Sequence, residues 1–268
     1  MIPVSRPVLL LLQVLAAAVF LLAWHLLTTL PLGAGGKPLL PPFFFSTPLD
    51  VLARTWKDLT GTEIWRHIGI TLLETILAFA IGAGGGIVVG FAFARRALLA
   101  AVFDPYLKAA NSLPRVVLAP IFALWFGLGI WSKVALGFTL VFFIVFFNVY
   151  QGVKEVSPTV LANARMLGMN DRQLLRHVYW PAALTWMFSS LHTSVGFALI
   201  GAVVGEYLGS AAGLGYKIQQ AESVFDVTGV FSGMLVLALF VIALDAVVTL
   251  IENRLLSWRP DSGSARTT

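Results

Sequence analysis

Long apolar runs separated by shorter polar segments set the pattern of this chain. The runs lie at residues 7–30, 67–94, 116–130, 134–150, 183–207 and 229–251. A helix crosses the bilayer's hydrocarbon core, about 30 Å thick, in about 20 residues, and it needs no water to satisfy its backbone. The pattern therefore predicts an all-α membrane protein with six transmembrane helices. Prolines 31, 38, 41, 42 and 48 break regular structure up to Leu49, after which residues 49–59 suit a short amphipathic helix capped by Thr47-Pro48. Residues 97–115 are expected along the membrane surface, with Asp104-Pro105 as a helix start and Asn111 to Pro114 as a break. Residues 209–228 are expected to form a loop. The chain thus reads as an N-terminal helix with its connection (1–66), an apolar core (67–252) and a polar tail (253–268).

Residues 155–182 are the most polar long segment between two apolar runs, yet they carry the signals of ordered structure. Ser157-Pro158 makes a helix start, with serine as N-cap and proline at the first helical position. Val160, Leu161, Ala164 and Leu167 then fall on one helical face. Gly168 supplies the stop, because glycine takes the left-handed conformation that helix ends use. Asn170 with Gln173 three residues on predicts a capping box, and Pro181 is expected to end that second helix and open the next span. The expected hairpin is too polar to span a membrane.

The apolar runs contain two stripes of small residues. Gly82, Gly86 and Gly90 recur every four residues in one run, and Gly201, Gly205 and Gly209 in another. That spacing lets a second helix approach closely, so these glycines read as packing positions. The glycine-rich stretch matches neither of the phosphate-binding patterns GxxxxGK[ST] and GxGxxG.

Composition agrees with a membrane chain: 58% of residues are hydrophobic and 12% charged, against about 25% charged in soluble domains. The formal net charge is +5, but the basic residues are spread along the sequence rather than clustered with aromatics, which argues against nucleic acid. No cysteine is present, which excludes disulfides and thiolate metal sites. Arg6 precedes the first run, which is longer than the apolar core of about 7–15 residues in a signal peptide, so it is expected to stay as an uncleaved membrane helix. With the N-terminus inside, Arg6, Arg95, Arg96, Lys108, Arg115, Lys154, Arg165, Arg172, Arg176, Arg254, Arg259 and Arg266 face the cytoplasm, 12 of the 18 Lys and Arg. Lys37, Arg54, Lys57, Arg66, Lys133 and Lys217 face outward, as the positive-inside rule favours.

Candidate chemistry is sparse. The four histidines are scattered, with no HExxH, no GxSxG and no acidic cluster at metal-ligand spacing, so neither an enzyme nor a metal site is expected. Glu74, Glu206 and Asp245 are acids within apolar runs, where a charge facing lipid is costly. Glu206 precedes the glycine-rich stretch 209–215 and is a candidate gate or pathway residue, with Asn148, His192 and Ser194 as further polar candidates. Glu74 and Asp245 read as structural hydrogen-bonding groups between helices.

Ala164-Arg165, then Gly168, then His177-Val178-Tyr179-Trp180-Pro181 resemble the cytoplasmic EAA loop of binding-protein-dependent ABC importer permeases. The acidic position of that loop falls here on Ala162, and Trp180 replaces the leucine before Pro181. From about residue 71 to 258 the chain is similar to the nitrate, sulfonate and taurine subgroup, including Asn111-Ser112-Leu113-Pro114, Leu124-Trp125-Phe126-Gly127 and Gly213-Leu214-Gly215-Tyr216. The resemblance implies a type I ABC importer (MetI-like) permease fold with cytoplasmic coupling helices, in a bacterial inner membrane with both termini inside. It implies ATPase subunits that bind ATP in place of this chain, a periplasmic solute-binding protein, and a second permease chain, expected to be identical. Ala164, Arg165, Leu167, Gly168, Arg172 and Pro181 would couple to the ATPase. The implied cargo is a small anion such as nitrate, a sulfonate or taurine. Two other classes stay open at this point: a transporter driven by an ion gradient, and a membrane scaffold that moves nothing.

Overall fold

Backbone groups have no water to bond with inside a bilayer, and the apolar runs of this chain satisfy theirs as helices. The computed structural model describes residues 6–31, 33 and 35–255, so most of the expected polar tail lies outside the described residues. Helix α1 (Arg6–Thr29) holds the first apolar run. α2 (Pro42–Phe45) is one turn inside the proline-rich stretch that was expected to be irregular, because Pro42 sits at a first helical position where its missing N–H does no harm. α3 (Pro48–Thr60) begins at Thr47, whose side chain accepts the Asp50 N–H at 3.2 Å. α4 (Glu63–Arg95) runs 33 residues, about 50 Å at 1.5 Å per residue.

The next segment departs from expectation. α5 (Ala97–Ser112) carries Pro105 in its interior, so Asp104-Pro105 does not start a helix. A 3-10 turn, Arg115–Val117, leads into α6 (Leu118–Phe126), which is bent 81° from α5. Nine residues reach only about 14 Å, so the apolar run at 116–130 is not a straight crossing of its own. α7 (Ile130–Lys154) follows, then α8 (Pro158–Met166) and α9 (Asp171–Leu174). A π-helical turn, Leu175–Tyr179, joins α9 to α10 (Trp180–Leu208), so Pro181 sits in the first turn of a continuing helix rather than at a break. Residues 209–228 contain α11 (Leu214–Ser223) where a loop was expected, and α12 (Val227–Leu255) completes the described chain. Among the described residues, α1, α4, α7 and α12 are long and apolar enough to cross a bilayer, and the bent α5–α6 pair makes a fifth if it acts as one span. α10 has 29 residues and a described apolar stretch over Thr193–Leu208.

The chain divides into two compact units, Met1–Arg66 with Lys217–Leu239, and His67–Tyr216 with Phe240–Thr268. In the first unit, polar side chains stitch α3 to the start of α12. Thr55 Oγ1 donates to Ser232 Oγ at 3.1 Å, Ser232 Oγ donates to Asp58 Oδ2 at 2.9 Å, and Arg54 pairs with Asp226 at 3.5 Å. Trp24 of α1 packs on Phe231 with ring centroids 5.5 Å apart, while the earlier part of α1 is exposed.

In the second unit, α7 packs between α4 and α10. A Cβ at Gly82, Gly86 or Gly90 would come within 2.7–2.9 Å of Cβ of Val141, Val145 or Val149, so the α4 stripe lies directly on the valine face of α7. On the other side of α7, a Cβ at Gly201 would overlap the Gly137 backbone, and one at Gly205 would lie 3.0 Å from Lys133 Cγ. Here van der Waals contact between backbones does what large apolar side chains do in soluble cores. Gly209 lies beyond the close contacts, since the nearest atom to its Cβ position is Leu128 Cδ2 at 3.4 Å. Val141, Val145 and Val149, with Ala78 and Ala198, form the buried centre.

Candidate functional site

Two polar assemblies stand out from the apolar bundle, one at each end of α4, α7 and α10. The first is the hairpin between α7 and α10. The Ser157 hydroxyl accepts the Thr159 N–H at 3.3 Å, which caps α8. At the other end of α8, Gly168 has φ +79°, its N–H donates to Arg165 O at 2.9 Å, and Met169 N–H donates to Ala164 O at 3.1 Å. These two bonds form a Schellman motif, which uses up carbonyls that a helix end leaves free. Asn170 and Gln173 then cap one another reciprocally, each bond 2.9 Å long. The base of the hairpin is braced by Trp186, whose indole N–H donates to Glu155 Oε2 at 3.1 Å.

The apolar side chains of α8 do not all share one face in the folded chain. Ala164 is buried and Leu161 half-buried, whereas Val160 is 48%, Met166 79% and Leu167 81% exposed. Leu167 is the C-cap, one residue past the last helical position, and is exposed although helical spacing puts it beside Ala164. Arg165 and Arg172 are exposed beside them, and Pro181 is exposed at the start of α10. The hairpin therefore offers apolar and basic side chains to a surface outside the chain.

The second assembly is buried. The first turn of a helix leaves its N–H groups without intrahelical partners, and at α11 side chains from α4 and α10 take three of them. Gly213 N–H donates to His67 Nδ1 at 2.9 Å, Leu214 N–H to Thr71 Oγ1 at 3.0 Å, and Gly215 N–H to Glu206 Oε2 at 2.7 Å. Thr71 Oγ1 in turn donates to Glu206 Oε1 at 2.7 Å. Because Nδ1 of His67 accepts, any ring proton of the neutral imidazole sits on Nε2. Gly213 has φ +114°, and a Cβ there would overlap the Glu206 carboxylate, so no other residue fits.

Glu74 and Lys133 complete this cluster. Glu74 faces Glu206, and Glu74 Oε2 makes no hydrogen bond among the described residues. Lys133 is fully buried and donates from Nζ to the carbonyls of Leu128 at 2.6 Å and Gly129 at 3.1 Å, in the turn between α6 and α7. Its charge acts on both carboxyls. A buried ammonium beside two carboxyls is the kind of pairing by which charged groups are tolerated away from water.

The remaining sequence candidates are not brought together. Asn148 is half-buried and donates from Nδ2 to Ile144 O of its own helix at 2.8 Å. Ser194 is fully buried, and its hydroxyl has no hydrogen-bond partner among the described residues. The His192 side chain lies outside the described residues, and Asp245 is exposed on α12. Sequence reading took His67 as one of four scattered histidines and Lys133 as a boundary charge. A signal was available: His67, Thr71 and Glu74 follow a spacing of four and three, one polar stripe on an otherwise apolar helix.

Residues 82–257 match the family described as binding-protein-dependent transport system inner membrane component. The chain belongs to this family. Among its relatives, the formylaminopyrimidine transport permease protein ThiX of Halalkalibacterium halodurans is 34% identical, over 81% of this chain and 87% of the relative. The aliphatic sulfonates transport permease protein SsuC of Bacillus subtilis, so named as putative there, is 32% identical over 91% and 86%. The taurine transport system permease protein TauC of Escherichia coli is 27% identical over 96% and 92%. The fold is similar to that of the MetNI methionine ABC transporter in an inward-facing conformation, with a TM-score of 0.56 at 18% identity over 73% of this chain and 93% of that one. An amino acid ABC transporter gives 0.55 at 22% identity over 78% and 95%. This permease is therefore a helical, multi-pass membrane protein of the ABC importer class, and its hairpin and buried cluster belong to a transport subunit.

Proposed function

We propose that this permease forms, with a second and identical copy, the pathway of an ATP-driven importer, and that the hairpin at 155–182 is the part a separate ATPase moves. The observation that carries the reading is the hairpin itself. It is rigidly capped at every end, and it turns Met166 and Leu167 outward at 79% and 81% exposure. An amphipathic helix presenting apolar anchors fits a groove on a partner, and Arg165 and Arg172 suit an acidic rim around that groove. In this reading ATP binds the partner, both termini and the hairpin face the cytoplasm of the inner membrane, and a periplasmic binding protein delivers cargo to the opposite face. The chain then needs no catalytic group and no cofactor of its own.

Glu206 takes the role of an outer fastener. By holding Gly215 and Thr71 it keeps the start of α11 on α4 and α10, so a movement of those helices carries α11 with it. The cargo we assign is a small anion such as nitrate, a sulfonate or taurine, supported by the near full-length similarity to the sulfonate and taurine permeases. The similarity to ThiX supports a heteroaromatic cargo instead. Uptake into proteoliposomes holding the permease, its ATPase and its binding protein decides between them: labelled taurine or sulfonate should accumulate with ATP and stop with vanadate. Accumulation of a formylaminopyrimidine alone would replace the anion reading. Uptake that survives vanadate and collapses with an ionophore would make the chain a gradient-driven transporter. Labelling of Asn170→Cys by an impermeant thiol reagent in intact cells would place the hairpin outside and end the coupling reading.

A further inference from the structure

We infer that the recess between the end of α4 and the start of α10 is a binding site for an acidic phospholipid. The recess has a volume of about 740 Å³, and its inner wall is apolar, built from Ile87, Val88, Phe91 and Trp180. Phe91 and Trp180 stack with centroids 5.5 Å apart, and Val88 and Trp180 remain 68% and 41% exposed. At its mouth stand Arg95 and Arg96. From Ile87 to Arg95 is about 12 Å along the helix, so the recess descends two turns into a membrane-spanning helix and ends in positive charge at the boundary. An acyl chain matches the wall, and an anionic headgroup matches the mouth. A soluble partner meets the mouth alone.

The two arginines are available. Arg95 has one acidic neighbour, Asp171 at 4.0 Å, and Asp171 is 82% exposed, so the pair is weak. The Arg96 side chain is exposed and makes no hydrogen bond or ion pair among the described residues. A second cavity of similar size, between α5 and α7, also carries cations, but those are engaged: Lys108 pairs with Asp104 at 2.6 Å and Lys154 lies over the Tyr150 ring at 4.6 Å. Basic recesses between membrane helices are where acidic lipid headgroups bind. Because the recess abuts α9 of the hairpin through Asp171, an occupying lipid lies against the element that the proposed function assigns to the ATPase. The site itself does not depend on that assignment.

Trp180 provides the reporter. The full-length permease is placed in phosphatidylcholine nanodiscs containing phosphatidylglycerol, with bromine on the acyl chains of one lipid or the other. Brominated phosphatidylglycerol should quench fluorescence more strongly than brominated phosphatidylcholine at equal mole fraction, and Trp180→Phe should remove that difference. Arg95→Ala with Arg96→Ala should weaken the preference at least fivefold, the scale of one basic residue near an anionic surface, while Arg95→Lys with Arg96→Lys should keep most of it. Should the alanine variant fail to fold, Val88→Phe fills the recess without adding a fluorophore that competes with Trp180 and should abolish the preference with both arginines intact. Equal quenching by the two lipids overturns the inference, as does a preference that survives in the alanine variant. A recess covered by the second permease copy or by the ATPase gives no quenching from either lipid and also overturns it. ATP-driven uptake is read separately, so equal quenching by the two lipids in the parent protein with normal uptake refutes the site and leaves the transport reading standing.

Discussion

In the hairpin, each cap is made by a residue within five positions of the group it satisfies: Gly168 on Arg165, Met169 on Ala164, Asn170 with Gln173. At the opposite end of the same helices, His67 reaches Gly213 across 146 positions and Thr71 reaches Leu214 across 143. Both assemblies solve one problem, the unsatisfied backbone groups at a helix end. The hairpin solves it with local sequence and leaves most of its side chains exposed. The cluster solves it with side chains from two other helices and keeps nothing exposed. The hairpin should therefore tolerate surface substitution without unfolding and lose function, while the cluster should lose stability first.

That contrast can be broken most forcefully at Glu206. Glu206→Ala strands the buried Gly215 N–H and removes the Thr71 bond to the carboxylate, and should cost about 3 kcal/mol or more, taking two charge-assisted bonds at about 1.5–3 kcal/mol each. Thermal unfolding in nanodiscs checks this, and Glu206→Gln, which keeps an acceptor, should lose less than half as much. An alanine variant as stable as the parent would show that the cluster does not hold α11. Gly201→Val comes next. The added side chain meets the Gly137 backbone, and overpacking of this kind costs about 1–3 kcal/mol; a normal melting temperature there would mean that α7 and α10 can separate freely.

His67→Ala leaves the buried Gly213 N–H without its acceptor and should cost about 1–2 kcal/mol, smaller than Glu206→Ala because the bond from Gly213 is to an imidazole rather than to a carboxylate. Gly168 sharpens the comparison from the other side. Nothing lies within 4 Å of a Cβ placed there, so the penalty is purely that of φ +79°, about 1–2 kcal/mol for a residue with a Cβ. Gly168→Val should leave the bundle folded and uncouple ATP hydrolysis from uptake, whereas Gly168→Asn, which accepts the left-handed conformation, should preserve coupling. Normal transport by the valine variant would sink the role of the turn. The smallest effect on stability is expected at Leu167→Asp: within about 0.5 kcal/mol, as for other exposed positions, but with loss of ATPase copurification. Retained copurification would mean that the exposed apolar pair is not the docking face.

The hairpin was legible in the sequence because its signals are short-range: Ser157-Pro158, Gly168 and the Asn170–Gln173 pair each specify a cap among neighbours. Met166 and Leu167 were less so, since helical spacing places Leu167 beside the buried Ala164 while the folded chain covers Ala164 and leaves Leu167 exposed. Pro181 was misread as a break, because a π-helical turn before it absorbs the missing hydrogen bond and lets the helix continue. The 81° bend between α5 and α6 also escaped the pattern. An apolar run reports hydrophobicity and leaves direction unstated.

By itself, the sequence determined that this chain lives in a membrane as helices, where most of them begin and end, and that a capped hairpin interrupts them. Those properties follow from composition and from contacts within a few residues. Tertiary structure alone decided which glycines meet which helix, and that His67, Thr71 and Glu206 converge on the start of α11. Groups more than a hundred positions apart meet only once the helices have packed, and no local propensity encodes that meeting.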